Sequence, residues 1–193
     1  MLDVKPVVLE GQVVRLEPLS LRHLAGLQAC VDLETFKYFA ATAPISLEAG
    51  DVAAYLDQML ALPNVVPFAV VSKESGEVIG STTYMDIRPI HMGLEIGMTW
   101  YVEGVRGTKV NPECKFMLLE HAFEKLGCHR VQLKTDGRNL QSQAAISKLG
   151  AKLEGTLRKH MVMRDGFVRD TVMYSILAEE WPVVRAGLLS RLG

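Results

Sequence analysis

Apolar and polar positions change period several times along this chain, and each change marks an element. Val13 to Leu16 alternates around Arg15, as a short strand does. Ser20 then stands as the N-cap of a helix through about Val31, with Leu21, Leu24, Leu27 and Ala29 as an imperfect apolar stripe. Phe36 to Pro44 reads as a loop. Leu47 to Leu60 reads as a second helix, with Val52, Tyr55, Leu56 and Met59 on one face. Both helices precede the main run of strands, so they are expected to wall one side of a cleft.

Period two then takes over. Pro67–Val71 and Val78–Asp86 flank the turn Lys73-Glu-Ser-Gly76 and predict a hairpin. Leu94 to Tyr101 alternates, which places Leu94, Ile96, Met98 and Trp100 on one side and Glu95, Gly97, Thr99 and Tyr101 on the other. Asn111 as N-cap, Pro112 as first helical residue and Glu113 at the positive end predict a helix. Its Phe116, Leu119, Ala122, Phe123 and Leu126 face a core, and Gly127 ends it. A strand over His129–Thr135 follows, then a helix from Asn139 to Leu149-Gly150. Strands at about Lys152–Val162 and Phe167–Leu177 flank Asp165-Gly166, a strong hairpin signal. A last helix covers about Trp181 to Arg191, packing through Trp181, Val184 and Leu188. The order predicts one α+β, or mixed α/β, domain over residues 1–193, with its core at about 10–178.

Composition narrows the class of function. With 21 basic and 22 acidic residues the net charge is −1, so no concentrated basic footprint for nucleic acid or an anionic membrane is present. The cysteines, Cys30, Cys114 and Cys128, are odd in number and widely spaced, which argues against a disulfide framework or a thiolate zinc site. No Asp/His/Glu group has metal-ligand spacing, and no metal is expected. The first residues, Met1-Leu-Asp-Val-Lys-Pro, lack the pattern of a signal peptide, and no apolar stretch approaches 18 residues, so the expected location is the cytoplasm.

The candidate chemistry begins at Arg106-Gly-Thr-Lys-Val-Asn111, a turn that empties into a helix N-terminus. Successive N–H groups from about Gly107 to Asn111 can form an anion nest, aided by the helix dipole. Arg106 or Lys109 can add a charge or simply be solvated. The spacing is neither that of a P-loop nor that of a dinucleotide fingerprint.

Over residues 10 to 178 the chain resembles the GCN5-related N-acetyltransferase (GNAT) superfamily, particularly its RimJ/RimL-type ribosomal-protein N-terminal acetyltransferase branch. The resemblance is carried by Glu95-Ile-Gly97, the loop at Arg106, His121-Ala-Phe-Glu-Lys-Leu-Gly127, His129-Arg-Val131, Asn139-x-x-Ser142, and Lys148-Leu-Gly150 followed by Glu154-Gly155. The family loop is Arg/Gln-x-x-Gly-x-Gly/Ala and grips the acetyl-CoA pyrophosphate. Here Arg106 stands at its basic position, while Lys109 and Asn111 replace the small residues. The resemblance implies a mostly antiparallel, twisted sheet of about seven strands. It also implies two N-terminal helices, a cofactor-binding helix, a second core helix and a C-terminal helix.

It further implies that acetyl-CoA is held by Gly97, Met98, Arg106, Gly107, Thr108, Lys109, Val110, Asn111, Asn139 and Ser142. Two neighbouring strands, about 94–101 and 129–135, would splay apart to take the pantetheine arm, with a backbone N–H near Met98 facing the thioester carbonyl. Glu95 is the leading candidate to take the proton of the acceptor amine, directly or through water; the same position also suits an outward residue on an exposed sheet face. His91 is the second candidate. Relatives carry a tyrosine seven residues after the asparagine, where this chain has Ile146, so Ser142 is the expected donor to the departing thiolate. Arg130, Lys134 and Arg138 surround the cofactor or face solvent. Arg158, Lys159, His160 and Arg169 are acceptor-side or interface groups. The acceptor is a primary amine, either a peptide or protein N-terminus or a small molecule. A non-catalytic acyl-CoA-binding module, or an enzyme using another acyl-CoA, is the alternative, and both monomer and homodimer remain open.

Overall fold

The computed structural model describes residues 1–40 and 42–193, so the part of the expected 36–44 loop at Ala41 lies outside the described residues. One sheet holds β1 (Leu9–Glu10), β2 (Val14–Pro18), β3 (Val66–Ser72), β4 (Val78–Arg88), β5 (Gly93–Tyr101), β6 (Arg130–Asp136), β7 (Lys152–Val162) and β8 (Val168–Leu177). Its order is β1-β2-β3-β4-β5-β6-β8-β7. Neighbours pair antiparallel except β5 and β6, which run parallel and are joined by a helical crossover. The eighth strand, absent from the expected seven, is β1. It is two residues long, too short for any period to register, and is defined by pairing of Leu9 with Leu16 and Glu10 with Arg15.

Helices cover both faces. α1 (Leu24–Cys30) and α2 (Ala49–Ala61) bury Leu27, Val52, Tyr55, Leu56 and Met59 against Ala69, Val71 and Trp100. α3 (Val110–Glu120), α4 (Leu140–Lys148) and α5 (Trp181–Leu192) bury Cys114, Leu118, Ile146, Trp181 and Leu188 against Leu16, Phe68, Val70, Leu94 and Ile96. Alternate residues of β3 thus serve opposite cores, as a sheet covered on both sides requires.

Three local expectations are corrected. The helix expected from Ser20 opens with a 3₁₀ turn, Leu21–His23, before α1. The buried His23 ring accepts the Ser20 N–H at 3.1 Å and meets Glu17 Oε2 at 3.1 Å, which fixes that tighter turn. α3 starts at Val110 with Lys109 at the N-cap, so Asn111 does not cap it. The Asn111 side chain instead accepts from the Tyr101 hydroxyl at 3.2 Å. The same helix ends in a π turn over His121–Lys125 before Gly127 at φ +68°.

The fourth correction lies on β5. Gly97 pairs with Thr83 but Trp100 pairs with Ser81, so Met98 and Thr99 together oppose Thr82. This bulge, with Met98 at φ +44°, shifts the alternation by one residue. Leu94, Ile96 and Tyr101 therefore share the α3 side, while Met98 and Trp100 pack with α1 and α2.

Candidate active site

β5 and β6 are paired at Gly93–Arg130, Leu94–Val131 and Glu95–Gln132, and then they part. β5 turns with its bulge along β4, whereas β6 follows β8 as far as Asp136 and Thr171. Among the described residues the divergence leaves the β6-facing backbone groups of β5 beyond Glu95 without a strand partner, a slot that suits an extended amide-bearing arm. Gly97 and Met98 stand at its apex.

Glu95 lies beside that apex and is not an outward residue on an exposed face: it is 1% exposed. Its Oε2 accepts from Gln132 Nε2 at 2.9 Å and from Lys134 Nζ at 3.0 Å. Gln132 is fixed in turn, donating to Asp86 Oδ2 at 2.9 Å and accepting from Arg88 Nη2 at 2.9 Å. Among the described residues Glu95 Oε1 has no protein donor, yet it is not sealed from solvent. A Cβ on Gly97 would stand 3.0 Å from that oxygen, so the free lone pairs sit against the Gly97 backbone. The result is a carboxylate anchored on one oxygen and open on the other. Gln132 escaped sequence reasoning, although it lies level with Glu95 on the opposite side of the seam. The sequence places Lys134 only around the cofactor or toward solvent. Their signal was the period of β6, which turns both away from the Val131 and Leu133 core.

The loop before α3 forms the second part. Gly107 has φ +79°, a conformation glycine adopts without strain. Of the amides expected to form a nest, Thr108 N–H is spent on Val105 O and Val110 N–H on Thr108 Oγ1. Among the described residues, those of Gly107, Lys109 and Asn111 have no protein acceptor and remain for an anion at the helix N-terminus. The two cationic side chains are engaged elsewhere. Arg106 donates to Tyr101 O at 3.1 Å and Thr35 Oγ1 at 3.0 Å, and Lys109 Nζ donates to Leu192 O at 2.5 Å.

Arg106 nevertheless borders a cleft of about 420 Å³ that also includes Lys37, Tyr38, Arg138 and Asn139, so the loop and the start of α4 face one space. Asn139 caps α4 by accepting the Ser142 N–H at 3.0 Å. The Ser142 hydroxyl, half-buried, has no partner among the described residues. Arg130 is paired with Glu154, and Arg138 with the buried Asp136 while lying over the Phe167 ring at 3.6 Å. Arg169, 5% exposed, donates to Thr171 Oγ1 and Tyr38 O, and His160 reaches the same threonine. His91 is exposed. Burial pushes the Cys114 thiol up to about 12 and those of Cys30 and Cys128 up to about 11, the opposite of an activated nucleophile. Among the described residues no cluster of three His, Cys, Asp or Glu could hold a metal, and no helix is long and apolar enough to cross a membrane.

A splayed parallel strand pair, a bulge at its apex and a helix N-terminus beside it define an acyltransferase fold. The chain belongs to the acetyltransferase (GNAT) domain family, whose model matches residues 14–152. It is 40% identical to a solved structure described as a "putative acetyltransferase" from T. thermophilus, covering 98% of this chain and 99% of that one with a TM-score of 0.91. RimJ of Mycobacterium smegmatis, solved in complex with CoA-disulfide, shares the fold at 22% identity and a TM-score of 0.76, over 96% of this chain and 92% of that one. Over 106 residues the chain is 27% identical to the "putative ribosomal N-acetyltransferase YdaF" of Bacillus subtilis (strain 168). That match spans 55% of this chain and 57% of the relative.

Proposed function

We propose that residues 1–193 act as one acetyl-CoA-dependent N-acetyltransferase domain. The observation that carries this reading is Glu95: a buried carboxylate held by Gln132 and Lys134, with its free oxygen against Gly97 where β5 and β6 part. The residues present suit acetyl-CoA. Free amides of Gly107, Lys109 and Asn111 at the α3 N-terminus fit its pyrophosphate, and the unpaired edge of β5 fits the amides of its pantetheine arm.

Glu95 takes a proton from the acceptor amine through Oε1, directly or by way of a water. This frees the nitrogen lone pair to attack the thioester carbonyl carbon. Met98 N–H donates to the carbonyl oxygen as negative charge grows there. As the C–N bond forms and the C–S bond breaks, the nitrogen sheds its second proton to the departing thiolate, which leaves as the thiol; Ser142 donates a hydrogen bond to that sulfur, and Asn139 keeps the start of α4 in place. The covalent cysteine route is disfavoured by the raised thiol pKa values.

The acceptor in this reading is a primary amine. The name of YdaF, a putative ribosomal N-acetyltransferase, supports a protein acceptor, and this reading takes an α-amine at a peptide or protein N-terminus ahead of a small-molecule amine. The cytoplasm is its proposed location. A homodimer through the final hairpin suits the exposed Leu153, Leu157 and Val162 on edge strand β7, and sedimentation velocity reads it. The test of function is incubation with acetyl-CoA and a panel of peptides and small amines, with products identified by mass. Acetylated product with matching CoA release is expected. Acetyl-CoA binding without product across the panel would favour a non-catalytic binding module, and turnover confined to a longer acyl-CoA would reassign the donor.

A further inference from the structure

Behind the Gly97–Met98 peptide, hydroxyl groups gather over a buried charge. Gly97 O accepts from Thr83 Oγ1 at 2.9 Å and from Thr99 Oγ1 at 3.3 Å. Thr99 Oγ1 also lies 2.8 Å from Thr82 Oγ1 and accepts from Lys115 Nζ at 2.8 Å. Lys115 sits in the second turn of α3 and is 6% exposed. Among the described residues no carboxylate lies within ion-pair distance of its ammonium. Meeting between these groups depends on the bulge, which turns Thr99 onto the α3 side of the sheet.

We propose, on the acetyl-transfer reading of the site, that Lys115 is a positioning residue: through Thr99 it holds the Gly97–Met98 peptide so that Met98 N–H faces the thioester carbonyl. A trans peptide is planar, so its C=O and N–H point in opposite directions. Thr83 and Thr99 hold the Gly97 carbonyl on the β4 side. The Met98 N–H is thereby aimed at the side from which β6 has departed. An ammonium donates and never accepts. Lys115 occupies one lone pair of Thr99 Oγ1, and in this arrangement Thr82 donates to the other across their 2.8 Å contact, which directs the Thr99 proton to Gly97 O. Donation then runs one way, from Lys115 to Thr99 to the carbonyl, and such a chain polarises the peptide whose N–H is the oxyanion donor. Burial lowers the Lys115 pKa from 10.5 to about 8, so it remains largely charged at neutral pH, as this arrangement needs. An unpaired ammonium is a poor choice for core packing, since methionine would fill similar space without desolvation.

The test uses the full chain and acetyl-CoA labelled with ¹³C at its carbonyl, whose resonance moves downfield when a donor polarises it. Lys115→Met and Thr99→Val are expected to bind acetyl-CoA within about twofold of the unaltered protein and to lose most of that displacement. Their kcat on any amine turned over in the panel should fall about tenfold or more with KM for acetyl-CoA little changed. Thr99→Ser, which keeps the hydroxyl, should restore both. Retention of displacement and kcat in Lys115→Met would overturn the inference. So would weaker acetyl-CoA binding with kcat unchanged, which would make Lys115 a ground-state contact. If acetyl-CoA binds but no amine is acetylated, the carbonyl resonance alone decides. Failure of the unaltered protein to bind acetyl-CoA would overturn the functional reading and this inference together.

Discussion

At pH 7 the Lys115 ammonium is folded into a place that disfavours it, since burial has brought its pKa from 10.5 down to about 8. Below pH 8 folded and unfolded chains both hold the proton, and the penalty is complete. Between pH 8 and 10.5 the folded chain loses it first, so this group makes stability rise with pH across that window. Lys115→Met should therefore be more stable than the unaltered protein at pH 7, by about 3 kcal/mol, with the advantage fading by pH 10.5. Urea melts at about pH 7, 9 and 10.5 measure it, and a less stable variant at pH 7 would mean that the bond to Thr99 outweighs desolvation. Glu95→Gln keeps the shape of the site and removes the proposed base. We expect kcat to fall about 10²-fold with acetyl-CoA affinity retained, and steady-state rates against binding isotherms separate the two. Gly97→Ala would place a methyl 2.6 Å from Met85 Sδ and 3.0 Å from Glu95 Oε1. Met85 can swing aside, but the carboxylate is tethered, so activity should drop far more than thermal stability. The identities of Glu95 and Gly97 were visible in the sequence through a short motif. The partners of Glu95, Gln132 and Lys134, come from a strand over thirty residues on, and only pairing across the seam brings them together.

Among the elements, α3 does more than point its N-terminus at the cleft. Glu113, placed in its first turn as the helix dipole prefers, also accepts the N–H groups of Gln12, Val13 and Val14 at 2.7–2.8 Å. The carboxylate thus fastens the β1–β2 turn to the cofactor helix. Glu113→Ala leaves three donors without their acceptor and should cost about 2–3 kcal/mol, measured as a lower urea midpoint with an unchanged slope. The dipole preference was legible at the sequence level, whereas a bond spanning about a hundred residues leaves no local trace. β5 teaches a similar lesson. Perfect alternation from Leu94 to Tyr101 predicted one face for Leu94, Ile96, Met98 and Trp100, but a bulge adds no polar mark of its own. It arises where β4 supplies one residue against two, and it exchanges the faces of everything beyond Met98.

At the scale of the molecule, seven of the eight strands and all five α-helices among the described residues were legible because each spans enough residues to show a period. The sheet order and the divergence of β5 from β6 were not, since two strands with identical patterns can pair fully or part company. Family resemblance supplied the divergence, and the pairing registers place it after Glu95 and Gln132. The C-terminal helix shows how distant segments meet at this cleft. Its last turn receives the Lys109 ammonium at Leu192 O, so the end of the described chain rests on the anion loop itself. That contact has a practical meaning for any laboratory preparing the protein. An affinity tag fused past Gly193 would begin beside the proposed pyrophosphate loop and is expected to weaken acetyl-CoA binding by its bulk or charge. Met1, 96% exposed, is the better point of attachment, and a tag removed from there should leave the measured affinity unchanged.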